Sequence, residues 1–342
     1  MHTPKSLMLT EAGEAPQVVA GLLAREAGTF AALGAALRGR DLRFFSTAAR
    51  GSSDHAATVF KYLMELETGL PVVSIGPSVA SVYGRPLRLQ GAVHVTVSQS
   101  GASPDIVALQ AAAKAGGALT VAVVNVAGSP VAQAADIVID LGAGVERSVA
   151  ATKSFIASVA ALAAIVGAAG GGAGLRDGLA RLPEALAATE GLPFGPAAEV
   201  LAGATSLFVA GRGPGFGVAL EAALKAKEVA ALHAEAFSLA ELQHGPMRLV
   251  GPGFPVLAFL PDDAGFAGNR QVLARLAAMG ARAFALTSRP GPDEVALPAT
   301  GSALLDPVVG LLHYYRLIEA VARARGHDPD RPAHLAKVTE TL

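Results

Sequence analysis

The chain contains an internal repeat in which similar segments lie 162 positions apart. The segment 44–51, Phe-Phe-Ser-Thr-Ala-Ala-Arg-Gly, is similar to 207–213, Leu-Phe-Val-Ala-Gly-Arg-Gly, so that Gly51 corresponds to Gly213. The same offset relates two further pairs of apolar runs, 95–98 with 257–260 and 121–125 with 283–287. An offset that recurs over three segments indicates a duplicated unit. We therefore expect two similar domains in tandem.

The first copy alternates short apolar runs with longer segments of helical spacing. The apolar runs have the length and composition of buried strands, and they lie at 42–49, 72–75, 94–98, 119–125 and 137–140. Regular alternation of strand and helix favours a parallel sheet that helices cover on both faces. The predicted fold class is α/β, with two tandem domains that are each a three-layer arrangement of helices around a parallel sheet.

Helical and glycine-rich segments mark the expected domain limits. A helical segment over about 14–38, interrupted near Gly28, precedes the first strand, and a glycine run at 170–174 follows the first copy. The predicted divisions are an N-terminal helical arm at 1–40, a first domain at 41–170, a linker and helix at 171–195, a second domain at 196–326 and a C-terminal tail at 327–342.

The composition indicates a large interior and excludes several classes of partner. Hydrophobic residues make up 52% of the 342 residues, charged residues make up 16%, and the mean hydropathy is +0.45, so much of the chain must be buried. The most apolar run, 155–169, is shorter than the roughly 20 residues that span a bilayer, and we expect a buried helix there. A net charge of −1 gives no electrostatic basis for binding nucleic acid or an anionic membrane. The N-terminus lacks the pattern of a secretory signal, so a cytoplasmic enzyme is expected.

Residue types and spacings also limit the chemistry. The chain has no cysteine, which excludes disulfides, thiolate metal sites and thiol nucleophiles within it. His233 and His244 are eleven positions apart and no His-x-x-x-His pair exists, so no metal site is predicted. The glycine-rich segment 211–217 lacks the acidic residue after a following strand that dinucleotide binding requires. We expect neither a metal nor a cofactor.

The segment 95–105 has the features of an anion-binding loop. An apolar run ends in Ser98, Ser100 and Ser103, with Gly101 among them, immediately before a helical segment. Hydroxyl groups, backbone N–H groups and the positive end of a helix dipole together favour phosphate. Serine also caps helices where no ligand binds. Three hydroxyls and a glycine within six residues favour the phosphate interpretation.

The second copy differs at this position and has other polar residues. The residues that correspond to 98–101 are Leu260-Pro-Asp-Asp263, whose carboxylates would repel phosphate. Glu221, Lys225 and Glu228 recur at i, i+4 and i+7, on one face of a predicted helix. They could form intrahelical salt bridges without further function. Because His244 precedes a Gly-Pro turn close by, these residues could also supply a base, an ammonium group and an imidazole.

Taken together, several motifs of the chain resemble the sugar-isomerase (SIS) superfamily. They are Ser98-Gln-Ser-Gly, Ala151-Thr-Lys-Ser-Phe155, Ala223-Leu-Lys-Ala-Lys-Glu228, Glu241-Leu-Gln-His-Gly-Pro246 and Leu335-Ala-Lys337. Within the superfamily the chain is similar to the isomerase half of glucosamine-6-phosphate synthase and to SIS-type glucosamine-6-phosphate deaminases. The synthase takes ammonia from glutamine through a cysteine nucleophile, which this chain lacks. The segments 49–55, 101–105 and 328–332 look more like the deaminase branch.

The resemblance implies a set of site residues. Ser53, Ser98, Gln99, Ser100 and Ser103 would hold the phosphate, while the backbones of Val149 and Ala336 would lie beside the sugar. Glu228 would move a proton between C1 and C2, with Lys225 near the sugar hydroxyls. His244 would open the ring from the other subunit of a homodimer, and Lys337 would bind the open-chain sugar, with a Schiff base as one option. Ala151 stands where the synthase has serine, which leaves that sugar contact open.

The activity implied is the conversion of glucosamine 6-phosphate and water to fructose 6-phosphate and ammonia. One alternative is a deaminase, deglycase or isomerase for another sugar phosphate, such as galactosamine 6-phosphate or a fructosamine phosphate. Another is a non-catalytic sugar-phosphate sensor, since SIS domains also occur in regulators.

Overall fold

A computed structural model describes residues 5–292 and 294–337 of the chain. The helices are α1 (Leu7–Gly13), α2 (Ala15–Arg25), α3 (Ala27–Leu37), α4 (Ser52–Thr68), α5 (Ser78–Ser81), α6 (Pro104–Ala115), α7 (Pro130–Ala134), α8 (Lys153–Ala168), α9 (Ala173–Ala187), α10 (Ala197–Ala202), α11 (Pro214–Ala230), α12 (Phe266–Ala278) and α13 (Asp306–Ala324). The strands are β1 (Phe44–Ala48), β2 (Val72–Ser74), β3 (Ala92–Ser98), β4 (Leu119–Val124), β5 (Ile137–Asp140), β6 (Ser206–Gly211), β7 (His233–Ser238), β8 (Pro255–Phe259) and β9 (Arg282–Leu286).

The described chain divides into two compact units. The first unit comprises residues 17–146 and 153–176, and the second unit comprises residues 5–16, 147–152 and 177–337 except 293. The first unit contains a sheet of five strands in the order β2-β1-β3-β4-β5, and the second contains a sheet of four strands in the order β7-β6-β8-β9. All neighbouring strands are parallel. This confirms the predicted α/β class with two parallel sheets flanked by helices.

The duplication is visible in the backbone as well as in the strand order. Gly51 precedes α4 with φ 55° and ψ −132°, and Gly213 precedes α11 with φ 58° and ψ −135°. Both helices are 17 residues long and both end in a left-handed residue, Gly69 and Ala231 respectively. The two glycines, and likewise Gly69 and Ala231, are separated by the 162-residue offset found in the sequence. The repeat therefore includes the turn before α4 and the equivalent turn before α11.

The N-terminal helices match the predicted helical segment. We predicted helix over about 14–38 with an interruption near Gly28, and the chain forms α2 and α3 over this range with a break at Glu26. Gly28 lies inside α3, where a single glycine is tolerated at a cost of about 1 kcal/mol. Glu26 is buried and within 3.2 Å of Arg25 Nε, so a side-chain contact accompanies the bend. A further helix, α1, precedes them within the predicted N-terminal arm at 1–40.

The apolar run near residue 155 forms the buried helix that we predicted. Thirteen of the sixteen residues of α8 are buried, and α8 packs against α3 and α4. Over residues 5–292 and 294–337, no single helix is long and apolar enough to cross a bilayer. The bent pair α2 and α3, which meet at 54°, has the length and composition of a span only when both are counted together.

A buried histidine in the first sheet makes stability depend on pH. His94 lies on the central strand β3, fully buried, with Nδ1 2.9 Å from Ser46 Oγ on β1. Burial lowers the pKa of His94 from 6.5 to about 4. Between these values the unfolded chain binds a proton that the folded chain does not, so stability is full above pH 6.5 and falls as the pH drops towards 4.

We expect His94→Asn to flatten this fall by about 1.4 kcal/mol per pH unit, the effect of one proton, as measured by urea unfolding at several pH values. Asparagine keeps a polar atom near Ser46 but does not titrate in this range. His233→Asn, at an exposed position of β7, is the matched control. Equal slopes for wild type and His94→Asn would contradict the prediction.

Candidate functional site

The predicted phosphate-binding residues lie at the switch point of the first sheet. From β1 the chain proceeds through α4 to β2 on one side, whereas from β3 it proceeds through α6 to β4 on the other side. Ligands of open parallel sheets bind outside the carboxyl ends of the strands at such a point. Ser53 lies in the first turn of α4, and residues 98–103, here named the cradle loop, join β3 to α6. The structure thus brings all five predicted residues to the same edge of the sheet.

Hydrogen bonds within the cradle loop shape it without using all of its hydroxyl groups. The backbone N–H of Gly101 donates to Ser98 Oγ at 3.0 Å. Ser103 occupies the N-cap position of α6, but its side chain makes no capping hydrogen bond. Ser53, Gln99, Ser100 and Ser103 are all half-buried, so they are neither solvated surface residues nor core residues. The Ser103 hydroxyl therefore does not cap α6, and phosphate binding by these residues stays a prediction.

Backbone hydrogen bonds from two neighbouring segments hold the cradle loop in place. The backbone N–H of Val131, in α7, donates to Gly101 O at 3.0 Å, and that of Asn125 donates to Gln99 O at 3.2 Å. Gly101 has a φ of +61°, and a Cβ atom there would overlap the buried Ser129 hydroxyl. Only glycine fits this position, for both reasons.

We expect Gly101→Ala to weaken the binding of a sugar phosphate by about tenfold or more, because the loop must shift away from Ser129. Isothermal titration with fructose 6-phosphate measures the effect. The matched control is Gly84→Ala, in the same unit, where φ is +56° and nothing lies within 4 Å of the added Cβ. That control incurs the backbone cost without the overlap, so equal affinities of the two variants would contradict the prediction.

An ion pair that the sequence interpretation missed lies beside the cradle loop. Arg50 Nε is 2.5 Å from Asp105 Oδ2, and a second guanidinium nitrogen also contacts this carboxylate. The Asp105 side chain is fully buried, whereas 48% of the Arg50 side chain is exposed. The pair links the turn after β1 to the first turn of α6 and leaves part of a guanidinium at the same sheet edge. Its sequence signal is an arginine directly before Gly51 and an aspartate two positions after Ser103.

In the second unit, the three charged residues predicted on one helical face form a buried triad on α11. Lys225 Nζ lies 3.2 Å from Glu221 Oε1 and 2.5 Å from Glu228 Oε2. The side chains of Glu221 and Lys225 are buried, but 21% of the Glu228 side chain is exposed. Burial tends to lower the pKa of Lys225, but the two carboxylates outweigh burial and raise this pKa above 10.5. Lys225 is therefore an ammonium ion at neutral pH, and Glu228 is the member that faces outward.

Helix α13 supports this triad from the side. The hydroxyl of Tyr315 donates to Glu221 Oε1 at 3.4 Å, and that of Tyr314 donates to Ala222 O at 2.9 Å. Both tyrosines are buried. The sequence interpretation missed them, because a Tyr-Tyr pair in an apolar helix has no signal that links it to α11.

The remaining predicted residues lie in two places of the second unit. His244 ends a 3₁₀ turn, Glu241–His244, and is exposed, as the Gly-Pro sequence after it indicated. Lys337 Nζ donates to the carbonyl of Ser148 at 2.7 Å, so it lies next to Val149, with Ala336 adjacent in the tail. The structure thus brings Lys337 to the segment 147–152, which contains Val149. A role for His244 across a dimer interface stays a prediction.

In the second copy, the acidic residues that correspond to the cradle loop make contacts within the second unit. Asp262 Oδ1 is 3.1 Å from Arg289 Nη1, and Asp263 Oδ1 accepts from the N–H of Gly265 at 2.8 Å. No group of three or more histidine, aspartate or glutamate side chains in the described ranges is placed to hold a metal ion.

Comparison with known proteins shows the family of the chain. The model of the SIS domain matches residues 45–168, which include the cradle loop. A crystal structure from Silicibacter pomeroyi, of a protein provisionally assigned as a phosphosugar isomerase, is 45% identical and has a TM-score of 0.90; the match covers 95% of this chain and 100% of that one. The chain belongs to the SIS-domain phosphosugar isomerase family.

Two further relatives are similar over most of this chain. The glutamine–fructose-6-phosphate aminotransferase of Symbiobacterium thermophilum is 37% identical over 323 residues, covering 87% of this chain and 52% of the relative. The chain thus spans about half the length of the curated relatives it matches. A glucosamine-6-phosphate deaminase of Thermotoga maritima shares the fold with a TM-score of 0.74 at 20% identity, covering 98% of this chain and 100% of that one.

Proposed function

We propose that the protein is a glucosamine-6-phosphate deaminase, which converts glucosamine 6-phosphate and water to fructose 6-phosphate and ammonia. The observation that supports it most is the triad on α11, in which a buried ammonium group holds one oxygen of a partly exposed carboxylate. Such an arrangement suits a base that removes a proton from carbon next to a carbonyl group. Membership of the SIS family makes a sugar phosphate the expected kind of substrate.

In this proposal the cradle loop binds the phosphate group. Ser53, Ser98, Ser100 and Ser103 supply hydroxyl donors, Gln99 supplies an amide, and the N-terminal ends of α4 and α6 supply positive dipole ends. Part of the Arg50 guanidinium adds positive charge at the same edge. Binding the far end of the substrate in this way fixes its position and leaves C1 and C2 for the reaction.

The reaction begins when His244 of a second subunit assists opening of the ring to the aldehyde at C1. Glu228 removes the proton from C2 while the aldehyde oxygen takes up a proton from solvent, and an enolamine forms. The protonated Glu228 then delivers its proton to C1, which gives the iminium ion at C2. Water adds to C2, and loss of ammonia and of one proton to solvent leaves fructose 6-phosphate.

Lys225 and Lys337 have different tasks in the proposal. Lys225 remains charged because its pKa is raised, so it orients Glu228 and donates hydrogen bonds but does not act as a nucleophile. Lys337 donates to a neutral carbonyl, beside the backbone of Val149, and is assigned to the open-chain sugar. A Schiff base between Lys337 and C2 of the ketose is compatible with this position.

A second candidate is the simple isomerisation of an aldose phosphate to a ketose phosphate. The full-length similarity to the Silicibacter protein favours it. The same proton transfer between C1 and C2 is required, but the substrate has a hydroxyl group at C2 and no ammonia is released. The two candidates therefore differ in the product and share the roles of the cradle loop and Glu228.

The test is a substrate panel with two detectors, one for ammonia and one for ketose phosphate. The panel contains glucosamine 6-phosphate, galactosamine 6-phosphate, a fructosamine 6-phosphate, glucose 6-phosphate and unphosphorylated glucosamine. Ammonia and fructose 6-phosphate in equal amounts from glucosamine 6-phosphate, with little turnover of glucosamine, is the expected result. Ketose phosphate without ammonia would favour the isomerase, and no turnover of any compound would favour a sugar-phosphate sensor.

A further inference from the structure

The short helix α1 is held at its first turn by hydrogen bonds to other parts of the second unit. The carboxylate of Asp330 accepts from the N–H groups of Leu7 at 2.7 Å and Met8 at 2.9 Å. Ser6 accepts from the N–H of Leu9 at 3.1 Å and donates to Glu319 Oε1, on α13, at 2.7 Å. These contacts satisfy N–H groups that a helix start leaves without partners. They also tie α1 to the C-terminal tail and to α13.

One turn later, α1 holds the segment that contains Val149. Glu11 is buried, and its two carboxylate oxygens accept from two successive backbone N–H groups, Arg147 at 2.5 Å and Ser148 at 3.1 Å. Hydrogen bonds to an ionised group are about twice as strong as neutral ones. A buried carboxylate costs free energy unless such bonds offset the loss of water. Two bonds from adjacent amides also fix the direction of the peptide group between them.

Ser148 is bound on both sides of its backbone. Its N–H donates to Glu11, and its carbonyl accepts from Lys337 Nζ at 2.7 Å. The tail therefore contacts the same network twice, through Asp330 at the start of α1 and through Lys337 at Ser148. Glu11 binds the N–H of Ser148 and Lys337 binds its carbonyl, so that the position of the Lys337 amino group is linked to that of Glu11 through this one residue.

We propose that Glu11 is a positioning residue for the reaction, because it sets the orientation of residues 147–149 and, through Ser148, the position of the Lys337 amino group. This inference rests on the proposed function in one respect, the assignment of Lys337 and Val149 to the open-chain sugar. The carboxylate of Glu11 accepts hydrogen bonds from Arg147 and Ser148, so we expect its loss to leave phosphate binding intact. An error of about 1 Å in such a group can lower the rate by about 10²-fold.

The test compares wild type, Glu11→Gln and Glu11→Ala, with Glu184→Gln, an exposed glutamate on α9, as the matched control. We expect kcat to fall by about 10-fold in Glu11→Gln and further in Glu11→Ala, with KM for the sugar phosphate within about threefold of wild type. Hydrogen exchange of the Arg147 and Ser148 amides should accelerate by about 10-fold or more in the same order. All measurements are made well below the melting temperature of each variant, so that global unfolding does not contribute.

A second measurement needs no turnover. Reductive methylation of Lys337 by formaldehyde and a borane, followed by peptide mass spectrometry, should be several-fold faster in both Glu11 variants, because Ser148 no longer holds the amino group. If wild type turns over no compound of the panel, the proposed function fails, and the exchange and methylation rates still decide whether Glu11 controls Lys337. Unchanged methylation would overturn the inference, and so would unchanged kcat in variants whose amides have lost protection.

Discussion

Replacing Glu228 with glutamine is expected to lower kcat for ammonia release by about 10²–10⁴-fold, the usual contribution of a general base. The amide has nearly the same shape as the carboxylate and can still accept a hydrogen bond from Lys225, so the fold should be preserved. The change removes only the ability to take a proton from C2. Steady-state kinetics with glucosamine 6-phosphate, together with solvent-deuterium incorporation at C1 of the product, measures the effect.

The matched control for Glu228→Gln is Glu235→Gln, an exposed glutamate on β7 of the same unit, which should retain wild-type kcat. If His244 acts from a second subunit, a mixture of Glu228→Gln and His244→Ala subunits should regain activity that neither variant shows alone. A kcat for Glu228→Gln within a few-fold of wild type would show that another group is the base.

Replacing Lys225 with methionine is expected to lower the free energy of unfolding by about 3–5 kcal/mol, because it leaves Glu221 buried without its cation. Methionine fills a similar volume, so packing is not the main loss. The carboxylates raise the pKa of Lys225 above 10.5, so the stabilisation is complete below that pH and disappears only as the pH rises through the raised value. Urea unfolding at pH 7 measures the difference from wild type.

Two variants separate this charge effect from other causes. Lys227→Met removes an exposed lysine from the same helix and should change the free energy of unfolding by less than about 0.5 kcal/mol. Combining Lys225→Met with Glu221→Gln removes the unpaired buried charge and should restore much of the lost stability. A loss below about 1 kcal/mol in Lys225→Met would mean that Glu221 finds another partner or takes up a proton at little cost.

The sequence predicted those features that depend on residues close together in the chain or on the internal repeat. Apolar runs of strand length predicted the five strands of the first unit, and the 162-residue offset predicted β6, β8 and β9 of the second unit, whereas β7 was not predicted. The sequence also predicted that the second copy lacks the cradle loop, because Leu260 and Asp262 stand where Ser98 and Ser100 stand in the first copy. The bounds of α1 within the predicted N-terminal arm were not given, because its seven residues are too few to show helical periodicity and its start is held by the distant Asp330.

By itself the sequence determined the duplicated α/β architecture, the position of the cradle loop and the single helical face shared by Glu221, Lys225 and Glu228. These features follow from the spacing of residues two to seven positions apart and from the internal repeat, both of which can be read directly from the sequence. The tertiary structure alone decided the pairing of Arg50 with Asp105, the contact of Tyr315 with Glu221 and the binding of Ser148 by Glu11 and Lys337. Those partners are between 55 and 189 positions apart in the chain. Which of them meet depends on how whole elements pack, and no local pattern specifies that.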